Sequence, residues 1–277
     1  MKVLVLGAGG MLGRDLVPIL SGEKQVWARD IDDFDITDRK RVQQEVEALQ
    51  PQVLVNAAAY TDVDGCESRK EMAFAVNAEG ARNVALACAA IGGRLIHLST
   101  DYVFDGSSQI PYREEDIPNP LNVYGSSKLQ GERYIQEILE NHLIILTELL
   151  YGRHGKNFVD TILKLAGQQK ELRVVDDQRG SPTFTWDLGF ALDRLVGMEA
   201  RGILHVTNSG SCTWFEFTRQ ILHVKGYDHI QVIPISSEEL ARPARRPASS
   251  VMDCRQYEKL TGRKMRPWKE ALGVYLS

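Results

Sequence analysis

Val3-Leu4-Val5-Leu6-Gly7-Ala8-Gly9-Gly10-Met11-Leu12-Gly13 opens the chain with four apolar, strand-forming residues that run directly into a glycine-rich turn. A helical pattern follows over Met11–Leu20. Strand, tight turn and helix in that order bring backbone N–H groups and the positive end of a helix dipole to one place, where a pyrophosphate can rest. Gly7, Gly10 and Gly13 are therefore candidate cofactor-binding residues. Their spacing, Gly7-x-x-Gly10-x-x-Gly13, departs from the G-x-G-x-x-G form, with Gly9 making the pattern mixed. A plain strand-to-helix turn is the alternative reading, and the rest of the chain has to decide between the two.

Working outward, short apolar runs alternate with helical patterns. Gln25–Ala28, Val53–Val55, Arg94–Leu98 and Leu143–Leu150 read as further strands. Arg39–Leu49, a long stretch at about Glu71–Ile91, and Gly125–Leu139 read as helices. Continuous apolar strands separated by helices predict an α/β fold, a doubly wound parallel sheet of the Rossmann type covered on both faces. Ligands in such sheets bind beyond the carboxyl ends of the strands. Gly7–Gly13, Asp30, Asn56–Thr61 and Ser99–Asp101 all fall there, after four consecutive strands. Beyond about residue 151 the pattern loosens into Gly-, Pro- and charge-rich segments. The division expected is 1–150 as dinucleotide-binding domain and 151–277 as a smaller substrate-binding lobe. Ile203–Val206 and Gln231–Ile233 are candidates for strands returning to the main sheet.

The chain has 277 residues, 43% hydrophobic, with a net charge of −4 from interspersed acids and bases. That balance argues against a nucleic-acid or anionic-membrane partner. No run of eighteen apolar residues is present to predict a membrane span. The N-terminus lacks a signal-peptide pattern. Cys66, Cys88, Cys212 and Cys254 lack paired spacing, so a cytoplasmic setting is expected, with neither a disulfide framework nor a zinc site. The six histidines are dispersed and read as surface or packing residues.

Tyr124 and Lys128 stand four residues apart in a helical segment, and Thr100 lies at a strand end. Positions i and i+4 share a helix face. A nearby ammonium favours the phenolate of a tyrosine, and a hydroxyl can hydrogen-bond the carbonyl oxygen that receives its proton. The pattern suits hydride transfer coupled to proton donation. Asp30 lies twenty residues after Gly10, where an acid accepts hydrogen bonds from an adenine ribose; Arg29 beside it suits a 2′-phosphate instead. NADPH and NADH therefore both remain open. Asp35-Ile36 fits an adenine contact, or equally a helix start. Arg242, Arg245 and Arg246 fit a diphosphate-bearing substrate, or equally a solvated cluster.

Further strings sharpen this reading: Asn56-Ala57-Ala58-Ala59-Tyr60-Thr61-Asp62-Val63-Asp64, Ser99-Thr100-Asp101-Tyr102-Val103-Phe104, Pro120–Gly125 with Lys128, Asp177–Thr183 and Ala244-Arg245-Arg246-Pro247. With them the chain resembles, nearly end to end, the extended short-chain dehydrogenases/reductases, and among these the dTDP-4-dehydrorhamnose reductase family. The resemblance implies reduction of the C4 keto group of dTDP-4-dehydro-L-rhamnose by NAD(P)H, in the supply of polysaccharide precursors. It implies Tyr124 as proton donor, supported by Lys128 and Thr100. It assigns Gly10, Met11 and Leu12 to the pyrophosphate and Asp30, Asp35 and Ile36 to the adenosine half. Ala59, Tyr60, Thr61 and Leu98 border the cofactor, and Thr100 and Asp101 touch the sugar. Arg245 is carried as a further substrate contact.

Two departures stand out. The family's Arg-Thr-x-Trp string reads Leu146-Thr147-Glu148-Leu149 here, so Leu149 occupies the place of a substrate-packing Trp. The acid that helps bind Mg²⁺ in some members falls at Asp15 without evident partners, and no metal is expected. The partner expected is a dTDP-linked 4-keto-6-deoxy sugar, with a homodimer as the one protein assembly considered. Two rival readings are a reductase of another such sugar, and a non-catalytic regulatory subunit like the β subunit of methionine adenosyltransferase. Thr100, Tyr124 and Lys128 favour an enzyme; Leu149 leaves the regulatory reading room.

Overall fold

The computed structural model describes residues 1–277. Its strands are β1 (Lys2–Leu6), β2 (Gln25–Arg29), β3 (Val53–Asn56), β4 (Arg94–Thr100), β5 (His142–Thr147), β6 (Leu150–Tyr151), β7 (Glu171–Val175), β8 (Arg179–Gly180), β9 (Thr183–Phe184), β10 (Gly202–His205), β11 (Cys212–Thr213) and β12 (Gln231–Ile235). Six of them form one sheet in the order β10-β5-β4-β3-β1-β2. Every pairing in it is parallel. Successive side chains of a strand face opposite ways, and here the two sets enter two separate cores. Leu4, Leu54, Leu95 and Ile144 pack on one face of the sheet, and Val3, Val5, Val53, Val55, Ile96 and Ile145 on the other. Both faces are therefore closed to water, which is why these strands read as unbroken apolar runs.

The helices are α1 (Met11–Ser21), α2 (Arg39–Leu49), α3 (Val63–Ser68), α4 (Lys70–Phe74), α5 (Ala81–Ala90), α6 (Val123–Ile138), α7 (Phe158–Ala166), α8 (Thr185–Val196), α9 (Trp214–Val224), α10 (Ser237–Leu240), α11 (Arg255–Thr261) and α12 (Trp268–Leu276). Val42 and Val46 of α2, Val84 and Cys88 of α5, and Leu129 and Ile135 of α6 cover the first face; Leu12, Leu16 and Leu20 of α1 and Leu188, Leu192 and Leu195 of α8 cover the second. A third core, around Tyr151, Phe184, Phe217 and Trp268, belongs to the second half of the chain.

Three expectations change. The stretch expected as one helix over Glu71–Ile91 is α4 and α5 joined by a π-helical segment, Ala75–Gly80. The wider turn admits Asn77, buried, which bonds the Tyr60 backbone on both sides: its Oδ1 accepts from Tyr60 N at 2.8 Å and its Nδ2 donates to Tyr60 O at 3.0 Å. Leu143–Leu150 does not run through, because Leu149 takes a left-handed backbone with φ of 45° and ends the pairing. Of the two strands expected to return to the main sheet, Ile203–Val206 supplies β10, but Gln231–Ile233 lies in β12, which pairs with β7 in a ribbon of its own.

The sheet order reverses at β1. The chain steps from β1 to β2 on one side, then to β3 on the other. Loops after β1 and β3 therefore diverge from a common crevice, the place where such sheets take their ligands.

Candidate active site

Gly7 sits in that crevice with φ of 79°, and a β-carbon on it would lie 2.6 Å from the backbone nitrogen of Ala58. Only glycine lets the loops after β1 and β3 approach so closely. Gly13, one turn into α1, faces the Gly7 carbonyl; a β-carbon there would overlap it. The first turn of α1 has no side-chain cap, so its N–H groups are left for a ligand.

Beside this turn opens a cavity of about 740 Å³. Gly7, Gly10, Asp30, Asp35, Ile36, Ala59 and Tyr60 line it, as do Arg29, Ile31, Phe34, Met72 and Val76. Ile31 and Met72 are large apolar side chains left exposed at its edge, an arrangement that suits the faces of a flat base. Ile31, Phe34, Met72 and Val76 were not legible as site residues, since each also fits an ordinary apolar helix or loop position. Asp30 lies over Gly9, and the Arg29 guanidinium donates to Glu45 at 2.6 Å. Arg29 is thus not a free clamp for a phosphate: Glu45 already holds it.

Met11 and Leu12 form the start of that first turn of α1, with the Leu12 side chain in the core and the Met11 side chain toward Gly152, while Thr61 is exposed outside the cavity. Leu98 contributes its carbonyl, which accepts from Lys128 Nζ at 2.6 Å.

Tyr124, Lys128 and Thr100 converge beyond β4 and the start of α6. Asn122 caps α6, accepting from Gly125 N at 2.8 Å, so the helix begins just before Tyr124. Burial pushes the Tyr124 phenol above its ordinary range, and the Thr100 hydroxyl is within hydrogen-bonding reach of it. At neutral pH the tyrosine therefore carries its proton, the form a proton donor needs. Burial depresses the Lys128 ammonium to about 8, partly offset by Glu132 one turn on. The expected contact of ammonium with phenol is not what holds Lys128. Its Nζ bonds the Leu98 carbonyl and lies 3.3 Å from His97 Nε2.

His97 was expected among packing or surface residues; it is buried and belongs to the site's support. Asn56 Oδ1 accepts from Ala58 N at 3.1 Å, which turns the Asn56 amide toward His97 Nδ1, also at 3.1 Å. The Asn56 amide then donates to His97 Nδ1. On the other side of Lys128, Ser99 donates to Glu132, whose carboxyl burial raises to about 7.

On the sugar side, Thr100 Oγ1 donates to Asp101 Oδ1 at 2.9 Å. Leu149 lies in a narrow cleft with Tyr102, Arg179, Gly180, Trp214 and Arg246. Arg245, the arginine expected here, is exposed and bonds Asn122 only through its carbonyl. Arg246 faces the cleft instead. Asp64 holds both Arg246, at 2.9 Å, and Arg242, at 3.0 Å. Burial alone would raise the Asp64 carboxyl, but Arg246, the Ala244 N–H and Arg242 hold it at about 2. Asp15 accepts from Thr185 Oγ1 at 2.5 Å and lies 3.6 Å from His154. No group of three or more His, Cys, Asp or Glu side chains converges into a metal-binding cluster. No helix is long and apolar enough to cross a membrane.

Compared with known proteins, residues 1–277 match the family model for the RmlD substrate binding domain. The chain belongs to this family. Among its relatives, a dTDP-4-dehydrorhamnose reductase of Streptomyces griseus is 43% identical, over 97% of this chain and 91% of that protein. A dTDP-4-keto-6-deoxy-D-glucose reductase of Streptomyces niveus is 40% identical over 97% and 94%. The crystal structure of a dTDP-4-dehydrorhamnose reductase of Bacillus anthracis in complex with NADP superposes with a TM-score of 0.96 at 38% identity, covering 100% of this chain and 99% of that one. The fold and the nicotinamide cofactor read from the glycine turn are those of the family.

Proposed function

We propose that this protein reduces the C4 keto group of dTDP-4-dehydro-L-rhamnose to give dTDP-L-rhamnose, with NADPH or NADH, in the supply of polysaccharide precursors. The observation that carries the reading is the convergence of Thr100, Tyr124 and Lys128 beside a cradle that only glycine backbone permits, in a chain that matches the family from end to end. That set also weighs against a purely regulatory subunit, which has no use for a protonated tyrosine held beside a strand-end threonine.

The residues fit a dinucleotide. Gly7, Gly10 and the uncapped first turn of α1 would hold the pyrophosphate, Asp30 the ribose, and Asp35, Ile36, Ile31 and Met72 the adenine. When bound, the nicotinamide supplies the hydride. Tyr124 gives its phenolic proton to the oxygen formed at C4, and Thr100 orients that oxygen. Lys128, charged below about pH 8, supports the phenolate left behind and reaches toward the cofactor ribose. Tyr102, Arg246 and Trp214 line the narrow cleft on the sugar side of the site. In this reading 1–150 holds the cofactor and 151–277 the substrate. Four unpaired cysteines support a cytoplasmic setting.

The test is incubation with NADPH or NADH and a panel of dTDP-4-keto-6-deoxy sugars, with products identified by NMR. Turnover of dTDP-4-dehydro-L-rhamnose at the highest kcat/KM is expected. Preference for dTDP-4-keto-6-deoxy-D-glucose would favour the second reading, which the Streptomyces niveus relative keeps in view. Sedimentation of the same sample tests the expected homodimer.

A further inference from the structure

Two carboxyl groups are buried behind the sugar end of the cleft. Asp101 is 3% exposed and Glu148 is 2% exposed. Each has an oxygen with no hydrogen-bond partner: Asp101 Oδ2 and Glu148 Oε1. The titratable groups around the pair are Tyr102, Tyr124, Cys212 and Cys254, none of them a cation. The nearby guanidiniums are engaged elsewhere, Arg246 with Asp64 and Arg179 with Glu216.

Ser250 stands between the two. Its hydroxyl donates to Glu148 Oε2 at 3.1 Å, and Asp101 is its other neighbour. Two carboxylates buried side by side with no cation between them repel, which favours a proton on one of the pair. Burial raises both groups, and the charge of Asp101 raises Glu148 further.

The chain of groups has two ends. Toward the site, Asp101 Oδ1 accepts from Thr100 Oγ1, and Thr100 reaches Tyr124. Toward the outside, Glu148 faces the backbone and hydroxyl of Ser181. Ser181 lines a separate cavity of about 590 Å³, together with Thr207 and Cys254.

We propose that Asp101, Ser250 and Glu148 form a proton relay that reloads Tyr124 from this second cavity. The inference rests on the reductase reading above. Each turnover adds a hydride and a proton to the substrate and leaves Tyr124 as phenolate. The Thr100 hydroxyl proton passes to Tyr124, and Asp101 restores it to Thr100. Ser250 passes its proton to Asp101, Glu148 passes one to Ser250, and water in the second cavity returns one to Glu148 by way of Ser181. No electrons move in these steps. Glu148 acts through other groups, so it is a positioning and proton-holding residue.

The test combines kinetics with spectroscopy on the intact protein. Glu148→Gln keeps the shape and the hydrogen bond from Ser250 but cannot pass a proton on. It is expected to lower kcat on the order of tenfold or more, since proton transfer is a large part of such catalysis. The KM for both substrates should stay near wild type, and the loss should deepen as pH rises and fewer protons are supplied. Glu148→Asp should restore most of kcat. Difference infrared spectra of the substrate-free protein should show a protonated carboxyl above pH 7 that disappears in Glu148→Gln. Wild-type kcat with a wild-type pH profile in Glu148→Gln would overturn the relay, and so would the absence of the infrared band. The infrared arm needs no substrate, so it reads the shared proton even if dTDP-4-dehydro-L-rhamnose is not the sugar turned over.

Discussion

Lys128 Nζ rests on the backbone carbonyl of Leu98, at 2.6 Å, with the imidazole of His97 on its far side. The lysine is thus held by the carboxyl end of β4, the strand that also carries Thr100. Its buried position depresses it to about 8, against an ordinary 10.5. Below that pH it is charged; as pH rises through it, the charge is lost. Cofactor affinity should therefore weaken above about pH 8. Glu132 is the carboxyl that favours the ammonium, so Glu132→Gln should move this alkaline limb to lower pH. Titration of NADPH fluorescence against pH reads both; a flat profile from pH 7 to 9 would remove Lys128 from the cofactor's site.

Tyr124 packs edge-on against Tyr102, with ring centroids 5.8 Å apart. Phenylalanine keeps this contact and removes only the hydroxyl. Tyr124→Phe should lower kcat by ~10²–10⁴-fold, the usual share of a general acid, while the dissociation constant for NADPH changes little. A variant with kcat near wild type would require another proton donor.

Cofactor preference turns on three side chains. Asp30 repels a 2′-phosphate, and Arg29 is occupied by Glu45 at 2.6 Å. Asp30→Ala and Glu45→Gln should therefore both favour NADPH, the first by removing repulsion and the second by releasing the guanidinium. A shift of about tenfold in the ratio of kcat/KM for NADPH over NADH corresponds to ~1.4 kcal/mol. If Glu45→Gln leaves the ratio unchanged, Arg29 does not reach the ribose.

Glu45 shows why part of the site was legible and part was not. The glycine turn, Asp30, Thr100, Tyr124 and Lys128 carry spacing that follows from strand and helix geometry, so sequence places them at strand ends or on one helix face. Glu45, Asn56, His97 and Glu132 act through contacts between segments far apart in the chain, such as Asn56 with His97. No local period marks such residues. The parallel sheet was legible because both faces of each strand are buried. The π-helical segment was not, since its cause is a tertiary demand: Asn77 must reach the Tyr60 backbone. Arg245 and Arg246 are neighbours in sequence, and only the turn of the chain against Asp64 decides which one faces the cleft.

Leu149 and Trp214 line one narrow cleft. The Leu149 side chain packs against Gly180, where a β-carbon would lie 2.8 Å from Leu149 Cδ1. Only about 10 Å³ is free in the cleft beside it. Trp214 lines the same cleft from the start of α9, braced by Phe158 at a centroid distance of 4.4 Å. Trp214 is thus the aromatic side chain that lines this cleft beside Leu149. Leu149→Trp should overfill the cleft, lowering stability by ~1–3 kcal/mol without tightening substrate binding. Trp214→Ala should raise the KM for the sugar nucleotide, since losing such apolar area costs on the order of 1–3 kcal/mol, and leave the dissociation constant for NADPH unchanged. Thermal unfolding and steady-state kinetics of the two variants separate the outcomes. An unchanged melting temperature with a lower KM in Leu149→Trp would mean that the cleft opens to admit the ring.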